Sequence, residues 1–514
     1  MNKTSIICSV SLLSTVAVSC GEKQKSPKHP NIIFILADDM GYGDVSALNS
    51  ESKINTPNID GISRNGVTFT DAHSGSALST PTRYGILTGR YSWRSTMKSG
   101  VLNGYSKALI PRDRLTVAGM LQQQGYHTAC IGKWHLGWEW ANINAGNDNV
   151  DYSRPVIDGP TTRGFDYFYG ISASLDMAPY VYVENDMPTA VPDRFTTGNN
   201  IPVGREGYDG SMWRKGPTGS DFEHADCLPN FTRRAVQYID QRAKSNQPFF
   251  LYYPLPAPHT PILPTKEFQG KSGLSSYADF VMMVDHLVGE ITQALEKNKI
   301  LDNTILIFAS DNGFAPWADS QTLEERGHYP SYLFRGYKSD LYDGGHHIPC
   351  VMQWPARVKP QTVDKTICLT DFMASFAELT GYKLNDNEAE DSFSLFPALF
   401  NENHNELLRE ATIHHSGSGQ FSIRKGQWKL LLTPGSAGWS FPRIGEEPAG
   451  SPPIQLYDMN ADIGERTNLQ DQHPEVVAEM KALITQYVKN GRSTPGAIQR
   501  NDGDFPWEQL DWME

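Results

Sequence analysis

Four separate apolar runs of the chain end in side chains that can do chemistry, and this repeated pattern limits the fold more than any other feature. The runs are "NIIFILADDMGYGD", "HTACIGKWHLG", "PFFLYYPLPAPHTP" and "NTILIFASDNG". They lead in turn to Asp38 and Asp39, Lys133 and His135, His259, and Asp311 and Asn312. Runs that are apolar on both faces are typical of central strands in a parallel sheet.

Helical patterns separate these runs, as in "LTVAGMLQQQG" and "ADFVMMVDHLVGEITQALEKN". Alternating strands and helices predict an α/β fold with a large, mostly parallel sheet sandwiched by helices. Ligands of such folds bind at the carboxyl ends of the strands. We therefore expect the polar side chains after the four runs to form one site.

The pattern changes near residue 400. "FSIRKGQWKLLL" alternates like a half-exposed strand, "IQLYDMN" predicts another strand, and "PEVVAEMKALITQYVKN" predicts an amphipathic helix. A length of 514 residues is enough for two domains. We predict a catalytic domain over 30–400 and a smaller C-terminal α+β domain with an antiparallel sheet over 401–514.

The first residues have the features of an export signal. One lysine precedes an apolar run that is too short to span a membrane, and "VSC" resembles a bacterial lipobox ending at Cys20. We predict a signal peptide of the lipoprotein type over 1–20, with a plain signal peptide as the alternative. Residues 21–29 are interpreted as a tether. The expected location is the periplasm or the outer membrane of a bacterium.

Charge and cysteine content narrow the function classes. A net charge of −13 argues against nucleic-acid binding, although a few local lysines and arginines can still bind a small anion. Four cysteines follow the predicted signal: Cys130, Cys227, Cys350 and Cys368. Their spacing matches no metal motif, so they are interpreted as core thiols with one bridge at most.

The acids at the ends of two runs predict a metal site. Asp38, Asp39, Asp311 and Asn312 are all oxygen donors, which select Ca²⁺ or Mg²⁺ over zinc. Each motif alone is also typical of a turn after a strand, and the metal is favoured by their joint occurrence. Lys133, His135, His259 and Lys338 would add fixed cations and proton-transfer groups.

The segment "SGSALSTPTRYGILTGR" resembles the signature of the type I sulfatases, in which Cys or Ser precedes x-Pro-x-Arg and, after a spacer, Thr-Gly-Arg. "ADDMGYGD", "GKWHLG", "GFDYFYG", "APHTP", "SDNG" and "FRGYKSDLYDGG" resemble further blocks of that family, in the same order. The resemblance covers roughly residues 28 to 490. It implies the alkaline-phosphatase-like fold and a serine-type bacterial carbohydrate sulfatase.

The resemblance also implies a mechanism. Ser79 would be oxidised to formylglycine, whose hydrated form attacks sulfur with one hydroxyl and expels sulfate with the other. The implied ligands of Ca²⁺ are Asp38, Asp39, Asp311, Asn312 and residue 79. Lys133 and Arg83 would stabilise the hydrated aldehyde, Lys338 and His259 would hold the sulfate and protonate the leaving oxygen, and His135 would accept the second proton.

Sugar contacts are the least constrained part of the interpretation. Ser174 lies where family members often place a sulfate-contacting hydroxyl. "DGGHHIP" departs from the family pattern at His346 and His347, and "TIHHSGSGQ" adds His414 and His415. We expect these histidines either to bind sugar hydroxyls or to pack in the interior.

The expected activity is exo-acting removal of an O-sulfate from a sugar, with galactose or N-acetylgalactosamine of mucin or glycosaminoglycan preferred. A serine at position 79 implies maturation by a radical-SAM enzyme before export. Two alternatives remain open. One is a phosphatase or phosphodiesterase of the alkaline-phosphatase superfamily that uses unmodified Ser79, and the other is an inactive glycan-binding lipoprotein.

Overall fold

The computed structural model describes residue 1 and residues 29–143, 148–200, 212–400 and 408–513. The strands are β1 (Asn31–Ala37), β2 (Val67–Phe69), β3 (Ala72–His73), β4 (His127–Lys133), β5 (Tyr167–Ile171), β6 (Val183–Glu184), β7 (Met187–Pro188), β8 (Pro192–Thr196), β9 (Asn199–Asn200), β10 (Met212–Trp213), β11 (Gly216–Gly219), β12 (Phe249–Pro254), β13 (Thr304–Ser310), β14 (Cys350–Gln353), β15 (Gln361–Val363), β16 (Ile367–Cys368), β17 (Thr412–His415), β18 (Phe421–Lys425), β19 (Trp428–Leu431) and β20 (Gln455–Asp458). The helices are α1 (Pro57–Arg64), α2 (Ser79–Thr88), α3 (Val117–Gln123), α4 (Cys227–Arg242), α5 (Ser276–Lys297), α6 (Ser320–Glu325), α7 (Asp371–Thr380), α8 (Phe396–Phe400) and α9 (Pro474–Asn490).

The main sheet has ten strands in the order β15-β2-β14-β13-β1-β12-β4-β5-β6-β7. Its centre, from β13 to β5, is parallel, and antiparallel pairs join β14, β6 and β7 to it. The four apolar runs are β1, β4, β12 and β13, which lie side by side. The predicted α/β sandwich with a mostly parallel central sheet is confirmed.

Both faces of the main sheet are buried, as the unbroken apolar runs predicted. In β1, Ile32, Phe34 and Leu36 join the core that α2, α3 and α7 cover. Ile33 and Ile35 face the opposite core, beneath α1, α4 and α5. Because neither face meets water, the polar groups of the sheet concentrate at the strand ends.

A separate antiparallel sheet follows residue 408, in the order β17-β18-β19-β20. It packs against α9, which spans the helix predicted from the sequence. "FSIRKGQWKLLL" forms the hairpin β18–β19 and not one strand, because the chain turns at Gly426, where φ is 55°. The C-terminal α+β arrangement is confirmed, while the boundary at residue 400 stays a prediction.

The predicted signal peptide, Cys20 and nearly all of the tether lie outside the described residues. None of the described helices combines the length and the apolar character needed to cross a membrane. Cys130, Cys227, Cys350 and Cys368 are buried free thiols, in line with the core interpretation.

Candidate active site

The predicted metal ligands meet at one edge of the main sheet. β1 and β13 are adjacent and in register, with Ala37 opposite Ser310, so the residues that follow them emerge together. Asp311 N–H donates to Ala37 O at 3.0 Å. Asp39 N–H donates to Asp311 Oδ1 at 3.1 Å. Asp38, Asp39, Asp311 and Asn312 are all buried.

Ser79 is the first residue of α2 and lies against these acids. Its hydroxyl donates to Asp38 Oδ1 at 3.1 Å and lies 3.5 Å from Asn312 Oδ1. The residue before it, Leu78, offers no side-chain cap, so the first amides of α2 remain available. A helix N-terminus stabilises negative charge. Ser79 therefore lies where an anion is favoured.

Three cations neutralise the buried carboxylates. Lys133 Nζ donates to Asp38 Oδ2 at 2.7 Å and to Ser79 Oγ at 3.4 Å. Lys338 Nζ donates to Asp39 Oδ2 at 2.7 Å, and Arg83 Nη2 donates to Asp311 Oδ2 at 2.8 Å. We use the name sheet-edge site for the following residues together: Asp38, Asp39, Ser79, Arg83, Lys133, Asp311, Asn312 and Lys338.

The electrostatics of the sheet-edge site are dominated by burial and by these pairs. Burial raises the pKa of a carboxyl, but the surrounding cations, Lys133 foremost, hold the pKa of Asp38 well below its usual range. Burial and the neighbouring Asp38 raise the pKa of Asp311. Burial opposes the charge of Lys338, yet Asp39 and the other acids raise its pKa.

The donor set fits a hard divalent cation. The Asn312 amide nitrogen donates to Asp39 Oδ1 at 2.7 Å and to Gly313 O at 3.0 Å. Its Oδ1 is therefore left facing Ser79 and Asp38. Carboxylate, amide and hydroxyl oxygens converging in a buried place are the ligands that Ca²⁺ and Mg²⁺ prefer.

Gly313, the last residue of the "SDNG" motif, is at a position where only glycine fits. A Cβ on this residue would lie 1.9 Å from Gly344 O, so only glycine allows the two loops to pack this closely. Gly313 N–H donates to Gly345 O at 3.0 Å. The motif that carries Asp311 and Asn312 is thereby held against the "DGG" segment.

His135, His259 and Ser174 lie at the open side of the sheet-edge site. His135 Nε2 donates to Leu102 O at 2.8 Å, and its Nδ1 has no hydrogen-bond partner among the described residues. Burial, then Lys133 and Arg83, hold the pKa of His135 well below its usual range, so the ring is neutral and the lone pair of Nδ1 can accept a hydrogen bond. His259 Nδ1 lies 3.3 Å from Ser174 Oγ, and its Nε2 lies 3.6 Å from Asp39 Oδ2.

A cavity of about 600 Å³ opens above these groups. Ser79, His135, Ser174, His259 and Lys338, all proposed from the sequence, line it. Their burial contrasts with the exposed residues at the other end, where Ile444 is 55% exposed. The cavity thus has a buried floor at Ser79 and an open rim.

Sequence reasoning missed several residues of the wall and rim: Asp176, Arg214, Trp317, Trp439 and Arg443. Asp176 is 5% exposed and pairs with Arg214 through Oδ2, while its Oδ1 has no partner among the described residues. Trp317 follows β13, a predicted strand, so its position was a usable signal, whereas Asp176 follows β5, which the apolar runs did not predict. Trp439 and Arg443 come from a C-terminal loop without such a signal.

Of the two alternatives given for the four histidines, sugar binding and packing in the interior, their positions in the structure favour packing. Within the described ranges, His346, His347, His414 and His415 do not line the cavity. They are at most 6% exposed, because they fill the space between the main sheet and the C-terminal sheet. The His346 and His414 rings stack at 3.8 Å, and His415 packs on Phe421.

We call one part of this region the interdomain histidine cluster: Asp71, His73, Asp343, His346, His347, His414, Lys429 and Glu465. His73, His346 and His414 bring ring nitrogens close together. The stacked rings are inclined by only 10°, so their nitrogen lone pairs do not converge. Lys429 Nζ also lies 3.4 Å from His346 Nε2. His346 Nε2 also lies 2.9 Å from Leu341 O, so its hydrogen-bonding capacity is already used.

Comparisons with known proteins agree with this geometry. The sulfatase family model matches residues 30–382. An N-acetylgalactosamine-6-O-sulfatase of Bacteroides thetaiotaomicron is 34% identical, over 92% of this chain and 97% of that protein. Arylsulfatase A of Homo sapiens is 30% identical, over 94% and 92%.

A solved sulfatase structure, described with the metabolism of multiple glycosaminoglycans by Bacteroides thetaiotaomicron, superposes with a TM-score of 0.78. It is 33% identical, and the alignment covers 89% of this chain and 99% of that chain. The chain therefore belongs to the sulfatase family, and it is a hydrolase of sulfuric esters.

Proposed function

We propose that this sulfatase removes a 6-O-sulfate from a terminal galactose or N-acetylgalactosamine of a mucin or glycosaminoglycan. The observation that carries the proposal is the position of Ser79, on the floor of the cavity between Asp38, Lys133 and Asn312. The 34% identical relative is an N-acetylgalactosamine-6-O-sulfatase, which supports N-acetylgalactosamine as the sugar and carbon 6 as the position. The enclosed floor supports an exo-acting enzyme, since a chain end enters such a cavity more easily than a chain interior.

The proposal includes conversion of Ser79 to formylglycine. A plain serine needs a base within reach to become a nucleophile, and the groups that contact its hydroxyl are a carboxylate already paired with Lys133 and an amide oxygen. Formylglycine supplies a hydrated aldehyde, which offers one hydroxyl for attack and a second for release of sulfate.

Ca²⁺ is proposed at the sheet-edge site, held by Asp38, Asp39, Asp311, Asn312 and residue 79. The ion would supply charge that polarises the sulfate oxygens. Arg83 pairs with Asp311 and Lys133 pairs with Asp38, which holds these acids in place. Because these groups are fixed before substrate arrives, they stabilise charge that develops during reaction at little reorganisation cost.

The remaining side chains have separate tasks. Lys338 faces the cavity and would contact the sulfate. His259, with Nε2 directed to Asp39 and the cavity, would donate a proton to the departing sugar oxygen. Neutral His135 would accept the proton of the second hydroxyl at Nδ1. Asp176 Oδ1, unpartnered and buried, would accept a hydrogen bond from a sugar hydroxyl.

Maturation by a radical-SAM enzyme before export, and a lipid anchor at Cys20, belong to the same proposal. They are supported by the serine at position 79 and by the first twenty residues. Mass spectrometry of the native protein tests both, through the lipidated N-terminal peptide and the peptide that contains residue 79.

The decisive experiment combines that peptide measurement with an assay. Loss of two hydrogens at residue 79, together with release of sulfate from galactose 6-sulfate or N-acetylgalactosamine 6-sulfate, supports the proposal. An active protein with intact serine would favour the phosphatase alternative. A modified protein that acts only on sulfates at other carbons would overturn the proposed position, and inactivity on every sulfated sugar would favour the binding alternative.

A further inference from the structure

We propose that the rim of the cavity binds a second sugar that carries a negative charge, so that the substrate is an acidic oligosaccharide. This inference rests on the proposed function, because the first sugar has to occupy the wall beside Asp176. The residues that carry it are Trp317, Trp439 and Arg443, none of which contacts the floor at Ser79.

Trp317 and Trp439 form an aromatic surface at the rim. Their ring centroids lie 4.2 Å apart with an interplanar angle of 46°, and Trp317 is 38% exposed. Lys338 Nζ lies 5.9 Å from each ring centroid, so the aromatic surface is next to the lysine that is proposed to contact the sulfate. Trp439 is half-buried, so the exposed Trp317 and the accessible part of Trp439 together offer an aromatic surface suited to packing against the face of a sugar ring.

The aromatic surface is held in place by a buried acid. Trp439 N–H and Ser440 N–H donate to Asp340 Oδ1 at 2.7 and 3.0 Å. Asp340 is two residues from Lys338 and is itself fully buried. The C-terminal loop with Trp439 is therefore positioned relative to Lys338, which gives the second sugar a fixed distance from the sulfate.

Three cationic side chains line the cavity, although the protein as a whole is acidic. The chain has a net charge of −13, yet Lys338, Arg214 and Arg443 line the cavity. In the part of the chain that the structure describes, the single carboxylate in this lining is Asp176, and Arg214 pairs with it. Arg443 provides the charge that remains at the rim.

Arg443 is oriented but weakly paired. Its Nε donates to Trp439 O at 2.8 Å, which places the guanidinium next to the aromatic surface. Its ion pair with Glu446 is long, at 3.8 Å, and 58% of its side chain is exposed. Such a pair contributes little, so the guanidinium can bind a carboxylate or a sulfate in a bidentate manner.

The test measures kcat/KM of the matured enzyme on one sulfated monosaccharide and on three disaccharides that carry the same sulfated sugar. The neighbouring sugar bears a carboxylate, a sulfate or no charge. We expect both acidic disaccharides to exceed the neutral one by about fivefold at low salt. The preference should shrink at 0.5 M NaCl, since exposed charges are screened.

Two variants test which rim residue is responsible for the preference for acidic disaccharides. Arg443→Gln should remove the preference for the acidic disaccharides, and Trp439→Ala should lower kcat/KM for all disaccharides by about tenfold. The readout is the ratio of disaccharide to monosaccharide kcat/KM, which a general loss of folding does not change. Arg357→Gln is the matched control, because Arg357 also lies over aromatic rings but on a distant surface.

The outcomes separate the two proposals. Equal kcat/KM on acidic and neutral disaccharides, or an unchanged preference in Arg443→Gln, would overturn the inference and leave the proposed function standing. Absence of turnover on every substrate would refute the proposed function first. A preference for only the carboxylate or only the sulfate would identify which acidic sugar the rim takes.

Discussion

The sheet-edge site and the interdomain histidine cluster are both buried, both contain several acids, and both have a lysine bonded to carboxylates. Lys338 pairs with Asp39, and Lys429 pairs with Asp343 and Glu465 at 2.6 Å each. They differ in access, because only the sheet-edge site borders the cavity. Similar residue types thus serve chemistry in one place and hold two domains together in the other.

The largest expected effect on activity is at Ser79, the proposed nucleophile, which belongs to the sheet-edge site. Ser79→Ala should lower kcat/KM by more than about 10⁴-fold, since no group remains for oxidation or attack. Sulfate release and thermal unfolding are measured together. Ser76→Ala is the matched control, because its buried hydroxyl donates to His415 O at 3.0 Å and does not line the cavity. Retained turnover in Ser79→Ala would remove this residue from the mechanism.

Replacing the lysine of each region by methionine tests the comparison between the two regions directly. Lys338→Met should lower kcat/KM by about 10²- to 10³-fold, because a preorganised charge beside the sulfate is lost. Lys429→Met should instead lower the free energy of unfolding by about 3–5 kcal/mol, because it leaves Asp343 and Glu465 buried without their cation. Activity assays and chemical denaturation of both variants check this. Similar activity losses in both folded variants would contradict the division.

Acid should act on the interdomain region through histidines that are neutral when folded. Burial, and then the charge of Lys98, lower the pKa of His415 to about 3. The unfolded chain takes up that proton near pH 6.5, so the free energy of unfolding falls as the pH drops from 6.5 towards 3. At pH 5 the loss from this residue is about 2 kcal/mol.

His415→Gln isolates that contribution, because glutamine does not titrate. Denaturation curves at pH 7.5 and pH 5 should differ less for the variant than for the parent chain. An unchanged pH dependence would show that other groups, such as His346 and His414, account for the acid sensitivity.

The smallest effect is expected at His414. Both of its ring nitrogens lack partners among the described residues, and it is fully buried. His414→Leu should change the free energy of unfolding by no more than about 1 kcal/mol, since an unpaired polar ring is replaced by an apolar group. kcat/KM should change less than twofold. A large loss of activity would mean that packing in the interdomain histidine cluster affects the residues that line the cavity.

The same contrast explains what the sequence could and could not predict. Asp38, Asp39, Asp311 and Asn312 were predictable, because a residue that directly follows a buried parallel strand is confined to the sheet edge. His346 and His347 follow an equally suggestive "DGG" segment, but their direction depends on how the C-terminal sheet packs. Trp439 and Arg443 reach the cavity from a loop more than a hundred residues after Lys338, and no local pattern indicates that.

Ser79 is enclosed by residues that come much later in the chain. It is 2% exposed, and the loop before it is tied to distant parts of the chain: Ala77 N–H donates to His415 O, and Ser339 N–H donates to Ala77 O, each at 2.9 Å. A second enzyme cannot enclose this serine once those late residues have arrived. The oxidation proposed for Ser79 would therefore have to take place during or soon after synthesis, before the molecule closes.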